Sequence, residues 1–177
     1  MRLVSGLRRG LDGLYYGCGL IAAGCLIAIL LIIVAQMVAR WTGATFPGAT
    51  SYAGYAMAAA SFFAFAHALN RGAHIRVSIL INALEGRARW LLELWCFAIG
   101  TALAWYLARY TVKAVYWSWK LKDVSQGQDA TPLWITQLPM AIGAIVFAIA
   151  LTDHLIHLII TRNHRIKPDL VDQSHGE

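Results

Sequence analysis

LYYGCGLIAAGCLIAILLIIVAQMV, residues 14–38, runs for 25 residues without a charged side chain. A helix that crosses a hydrocarbon layer of about 30 Å needs roughly 20 such residues. In lipid no water is present to bond a bare N–H or C=O, so a segment of this kind must be helical. Gly17, Gly19 and Gly24, with Ala22, Ala23 and Ala28, are small side chains that let a second helix come close. Arg40 and Trp41 end the run with a charge and an aromatic anchor suited to the membrane interface. Arg2, Arg8 and Arg9 precede it, as in a secretory signal. The apolar run is too long for a signal core, and no convincing small-x-small cleavage site follows. It is expected to be an uncleaved first span.

Three further apolar blocks follow. Residues 51–69 are rich in Ala, with Phe62, Phe63 and Phe65, a composition suited to packing on another helix. The third block has its span at residues 90–117 and is the longest when its apolar character is followed on to Trp119, with Arg109 and Lys113 embedded late and an aromatic cluster from Trp105 to Trp119. Residues 132–160 begin at Pro132, with Asp129 or Thr131 as a helix cap, and carry an internal Pro139. The expected fold is all-α, one membrane domain of four transmembrane helices. Between the second and third spans, Val77, Leu80, Ile81, Leu84 and Ala88 recur at helical spacing, with Ser78, Asn82, Glu85 and Arg89 opposite them. That pattern predicts an amphipathic helix over about 74–88, lying on the membrane surface or on a partner. The tail, 161–177, is polar and expected to be mobile.

Four spans and their connections use most of the 177 residues, 59% of them hydrophobic. No room is left for a soluble catalytic domain. The net charge of +6 sits at helix ends, where basic residues set topology and meet anionic lipid, so it does not point to nucleic acid. Arg2, Arg8 and Arg9, then Arg71, Arg76, Arg87 and Arg89, then Arg162, Arg165 and Lys167 lie at one set of ends. Both termini and the amphipathic segment are therefore expected on the cytoplasmic side. Cys18, Cys25 and Cys96 lack metal-ligand spacing and read as small packing residues.

Ionisable residues inside spans are the candidates for chemistry. Arg109 reads as snorkelling to the outer headgroups or pairing with a partner protein. His67 and Glu93 read as interfacial. Asp153, His154 and His157 share one end of the last helix and read as a polar patch near the inner headgroups. A partial metal or proton-relay site is the competing reading of that patch. No phosphate loop, nucleophile motif or pair of broken helices appears, so neither an enzyme nor a complete transporter is indicated.

The stretch Ser61 to Val77, SFFAFAHALNRGAHIRV, resembles the small membrane subunit, the Q or DctQ type, of tripartite ATP-independent periplasmic (TRAP) transporters. The junction residues are Arg71, Gly72, His74, Ile75 and Val77. Thr131-Pro132-Leu133-Trp134-Ile135 and Leu138-Pro139 resemble the family's entry into the last span. The resemblance implies a non-enzymatic bacterial inner-membrane protein without a cofactor. It would anchor a large multi-span (M-type) subunit that carries the substrate and sodium sites. It also implies a periplasmic substrate-binding protein as a partner, and an organic-acid anion as the substrate. Candidate partner- or membrane-contact residues are Arg71, Gly72, His74, Ile75, Val77, Leu80, Leu84 and Arg109. The alternative is a four-span redox or haem-binding component using His67, His74, His154 and His157.

Overall fold

A computed structural model describes residues 2–71, 86–127 and 130–161. Among them are four helices: α1 (Arg2–Trp41), α2 (Ala49–Arg71), α3 (Gly86–Leu121) and α4 (Leu133–Thr161). No strand occurs among the described residues; Val124 and Pro132 make an isolated bridge. The all-α class is as expected. The expected surface helix over 74–88 falls largely outside the described residues, and residues 86–88 belong to α3.

Three helices, α1, α3 and α4, are long and apolar enough to cross a membrane. Helix α2 is not among them. Its 23 residues are dominated by Ala and interrupted by Ser51, Tyr52, Ser61, His67 and Asn70, which lowers its hydropathy. Its neighbours explain how so mild a sequence is accommodated. It packs against α1 on one side and α4 on the other, and α4 packs in turn against α3. Among the described residues no other helix pair makes more than a marginal contact. The spatial order is therefore α1–α2–α4–α3, a single layer rather than a closed bundle.

Burial follows that order. Of α4's most apolar stretch 44% is buried inside the chain, against 11% for α1 and 22% for α3, as befits an interior helix and two edge helices. Along α1 the inward line is Leu11, Tyr15, Cys18 and Ala22, spaced four, three and four. This is the repeat that keeps one seam facing a neighbour at a shallow crossing angle. Elsewhere α1 shows Leu26, Ile27, Leu30 and Leu31 to the outside, each 60–62% exposed. Side chains like these are at home only in lipid or against another protein. Along α3 the inward line is Phe97, Thr101, Ala104, Ala108, Thr111, Val115 and Ser118. The same three–four alternation recurs there.

Small residues set the spacing between helices. A Cβ on Gly143 would lie 2.7 Å from the carbonyl carbon and oxygen of Phe62, so α2 and α4 meet backbone to backbone at that point. A Cβ on Gly19 would lie 2.7 Å from Nδ1 of His67, so the imidazole of α2 sits directly against the α1 backbone there. Ala144, Ala148 and Ala150 are fully buried. Gly24, a small packing residue on sequence grounds, faces open space and holds no helix within the chain.

Register along the layer follows from individual contacts. Gly19 meets His67, Phe62 meets Gly143, and Phe65 lies 5.5 Å from Phe147 between ring centres. Across α3 and α4, Phe97 stacks on His154, Gly100 is closest to Leu151, and the Trp105 indole N–H donates to Thr152 Oγ1 at 3.1 Å. The two helices are antiparallel and stay in step to their connecting loop. There Leu133 N–H donates to the Asp123 carbonyl and Ser125 N–H to that of Thr131.

Helix ends are closed by local chemistry. After α1, Gly43 takes φ +72° while the N–H groups of Gly43 and Ala44 return to the carbonyls of Arg40 and Ala39. The same double return closes α3: Lys122 and Asp123 bond back to Trp119 and Ser118. This motif normally uses glycine at its left-handed position. Here Lys122 occupies it, at φ 53°.

Candidate functional surfaces

The helices bring their polar side chains together in two layers, one at each end. The first lies where α1 and α3 begin and α2 and α4 finish. His67 on α2 faces the Gly19 notch of α1, with its ring 6.4 Å from that of Tyr16. Glycine at position 19 makes this possible, because any side chain there would displace the imidazole. On the other side of the layer, Glu93 and His154 are buried and His154 stacks on Phe97. Glu93, read as interfacial from its position near the start of a span, is buried within the chain at that end. It lies on the side of α3 that faces α4, and Asp153 on α4 is half-buried. His157 Nδ1 is buried without a hydrogen-bond partner among the described residues.

The second layer lies at the opposite end. The Tyr55 hydroxyl donates to Ser125 Oγ at 2.6 Å, tying the α3–α4 loop to the first half of α2. Ser125 Oγ also accepts from Gly127 N–H, so one serine organises the loop and holds it to the helix. Next to it, Lys120 Nζ lies over the rings of Tyr116 and Trp117, at 5.9 and 5.2 Å from their centres. Together they form an aromatic and cationic collar of the kind that suits a headgroup layer.

Three threonines within α3 and α4 are satisfied by their own backbone. Thr101 bonds to the Phe97 carbonyl, Thr111 to those of Leu107 and Ala108, and Thr152 to that of Ala148. They add close contacts without leaving a polar group bare.

Of the residues singled out from sequence, Arg109 is exposed on α3, away from both polar layers. Arg71 is the last residue of α2. Gly72, His74, Ile75, Val77, Leu80 and Leu84 lie outside the described residues. His67 and His154 sit on different helices with different neighbours, Tyr16 and Phe97. Among the described residues no group of three or more His, Cys, Asp or Glu side chains comes together to hold a metal ion. Sequence reading missed the Tyr55–Ser125 tie. A tyrosine near a span end reads equally well as a plain interfacial anchor, and nothing in either residue's surroundings names the other.

Residues 29–161 match the family model for the DctQ component of tripartite ATP-independent periplasmic transporters. That segment includes the second half of α1 and all of α2, α3 and α4. Among curated proteins the sequence finds no match. The family is one of transporter components that work with a large M subunit and a substrate-binding protein; it lends no support to the haem-binding alternative. A match over most of the chain, on an all-α structure whose apolar helices suit a membrane, places this protein in the DctQ family, as a small membrane component of a TRAP transporter.

Proposed function

We infer that this chain anchors the large transport subunit in the bacterial inner membrane during ion-coupled, sodium-driven symport of an organic-acid anion, and holds no substrate site itself. The observation that carries this reading is the single-layer order α1–α2–α4–α3. A closed bundle buries its inward faces and needs no partner. A layer one helix thick leaves two broad faces open, and it is the shape of a piece meant to be laid against a larger membrane protein. Exposed apolar area of this extent fits lipid on one face and protein on the other.

In this reading α2 is the fourth membrane-crossing helix, its polar composition tolerated because α1 and α4 shield it. The end carrying both termini faces the cytoplasm, on the balance of arginines. The Tyr55–Ser125 tie and the Lys120 collar then face the periplasm, where the substrate-binding protein delivers its cargo. Anionic lipids meet the arginines at the cytoplasmic end.

The test is affinity capture of the tagged chain in mild detergent from cells that express all three components. The large multi-span subunit is expected to come with it, and deletion of the chain is expected to abolish uptake. Full uptake by a strain lacking the chain would refute the anchoring role.

A further inference from the structure

The exposed flank of α3 carries a line of aromatic and basic residues, and its charge at Arg109 is one that lipid accommodates poorly. Trp105, Arg109, Lys113, Tyr116 and Lys120 recur at intervals of four, four, three and four, so they lie along one side of the helix. All five are exposed. Helical geometry places Arg109 about a quarter-turn (~100°) from Ala108, which is buried. Trp105, at the start of the line, reaches across to Thr152 of α4. The line thus runs beside the α3–α4 seam and belongs to one open face of the layer. The opposite flank of α3 is apolar, with Leu103, Leu107, Ala114 and Leu121.

Depth is what makes this line informative. The uncharged run of α1, residues 14–38, has its middle near Cys25 and Leu26. Following the contacts Gly19–His67 and Phe62–Gly143, the same depth on α2 is near Ala60, and on α4 near Ala141. The contacts of Phe97, Gly100 and Trp105 with α4 then carry that depth to Thr111 and Val112 on α3. The middle of α4's own uncharged run, residues 133–152, leads to within two residues of the same place. Even the centre of the Trp90–Leu121 span leaves Arg109 within about 5 Å of mid-depth. The hydrocarbon half-thickness is about 15 Å. An extended arginine side chain, roughly 7 Å long, cannot snorkel over the difference.

A guanidinium held at that depth needs a counter-charge. This chain has none to give. Its Asp and Glu residues are 12, 85, 93, 123, 129, 153, 169, 172 and 177, all toward the ends of the helices or beyond them. A second copy lacks one at that depth for the same reason. Anionic phospholipids carry their charge at the headgroups, not at mid-depth.

The geometry points to this flank as the seat of a transmembrane helix of the large subunit, one that presents a carboxylate to Arg109 inside the hydrocarbon layer. Lys113 strengthens the same positive line, and Trp105 and Tyr116 bracket it with aromatic surface. The assignment rests on the anchoring role above and adds to it a specific face and a specific chemistry.

The experiment captures tagged wild-type, R109L, R109E and R109K chains in mild detergent from cells expressing all components, with the recovered large subunit and bound phospholipid quantified. R109L relieves the isolated chain of a charge in lipid, so it cannot lose the partner through poor insertion. R109L and R109E are expected to lower recovery of the large subunit about tenfold or more, since truncating one side of a desolvated pair is costly. R109K is expected to retain most of it. Replacing the matching carboxylate of the large subunit with Arg should restore assembly with R109E. Wild-type recovery for both R109L and R109E would overturn the assignment while leaving the anchoring role intact. Failure of the wild-type chain to recover any large subunit would instead remove the anchoring role. Two further outcomes would also overturn the assignment. One is full recovery with loss of bound anionic phospholipid, which would make a lipid the occupant. The other is disulfide crosslinking of an R109C chain to a second copy of itself.

Discussion

Replacing Gly143 with Ala adds one carbon at the point where α4 meets the backbone of α2. That carbon would lie 2.7 Å from the Phe62 carbonyl carbon and oxygen, and 2.8 Å from Phe62 Cβ. Ordinary contact begins at 3.4 Å, so the two helices must separate locally by about 0.7 Å. Backbone cannot rotate aside as a side chain can, and the shift spreads to Phe65–Phe147 one turn further on. Overfilling a close-fitting core typically costs about 1–3 kcal/mol. For a chain of this size 1 kcal/mol moves a melting midpoint by roughly 2–4 °C, so about 4–8 °C is expected for a mid-range cost of 2 kcal/mol. The assay is fluorescence-detected size-exclusion chromatography after heating in mild detergent. G24A is the internal control, because its added carbon meets nothing within 4 Å and should leave the midpoint within about 1 °C, or raise it. Equal midpoints for wild type, G143A and G24A would refute the close approach of α2 and α4.

Other expectations follow from the same structure. Y55F removes the hydroxyl bonded to Ser125; about 0.5–1.5 kcal/mol of loop stabilisation should be lost, seen as faster amide exchange over residues 122–127 at unchanged helix protection. K122G places glycine in a left-handed position and should raise the melting midpoint by roughly 0.5–1 kcal/mol equivalent; a fall would contradict the turn geometry. Cysteines at Gly48 and Gln126 should react with an impermeant thiol reagent from outside intact cells, and one at Gln173 should not; labelling of Gln173 would reverse the orientation. Alanine at His67, Asp153 or His157 should leave substrate affinity within about fivefold, read by uptake in liposomes holding the partner proteins; loss of transport from an assembled complex would give this chain a part in the chemistry.

The apolar blocks reveal the helices because hydropathy is a property of single residues and their neighbours in sequence. The junction from Arg71 to Val77, set among those blocks, is enough to reveal the family. The order of the helices is not legible in the same way. Helix α2 is Ala-rich nearly all round, so its sequence does not say which sides are covered or by what. Gly24 and Gly143 look alike in sequence, both within apolar helices, yet one faces open space and the other touches backbone. Glu93 stands near a span's beginning, which says something of its depth but not of its burial; that depends on α4, which begins 40 residues later. The depth of Arg109 likewise depends on register passed through three helix contacts, none of which leaves a mark at position 109.

The order of helices in space also has a meaning for biogenesis. Chain order and spatial order agree for α1 and α2, which can pair as soon as both have left the ribosome. They part company afterwards. Helix α3 is made next, but its one substantial neighbour among the described helices is α4, so neither α1 nor α2 is there to pack on it as it emerges, with Arg109 and Lys113 exposed. The last helix synthesised is the one that joins the two halves, because α4 alone touches both α2 and α3. Until it arrives, the described helices of the nascent chain are a hairpin and a third helix that does not pack on it. A premature stop anywhere before Leu133 would leave those two pieces without the helix that joins them.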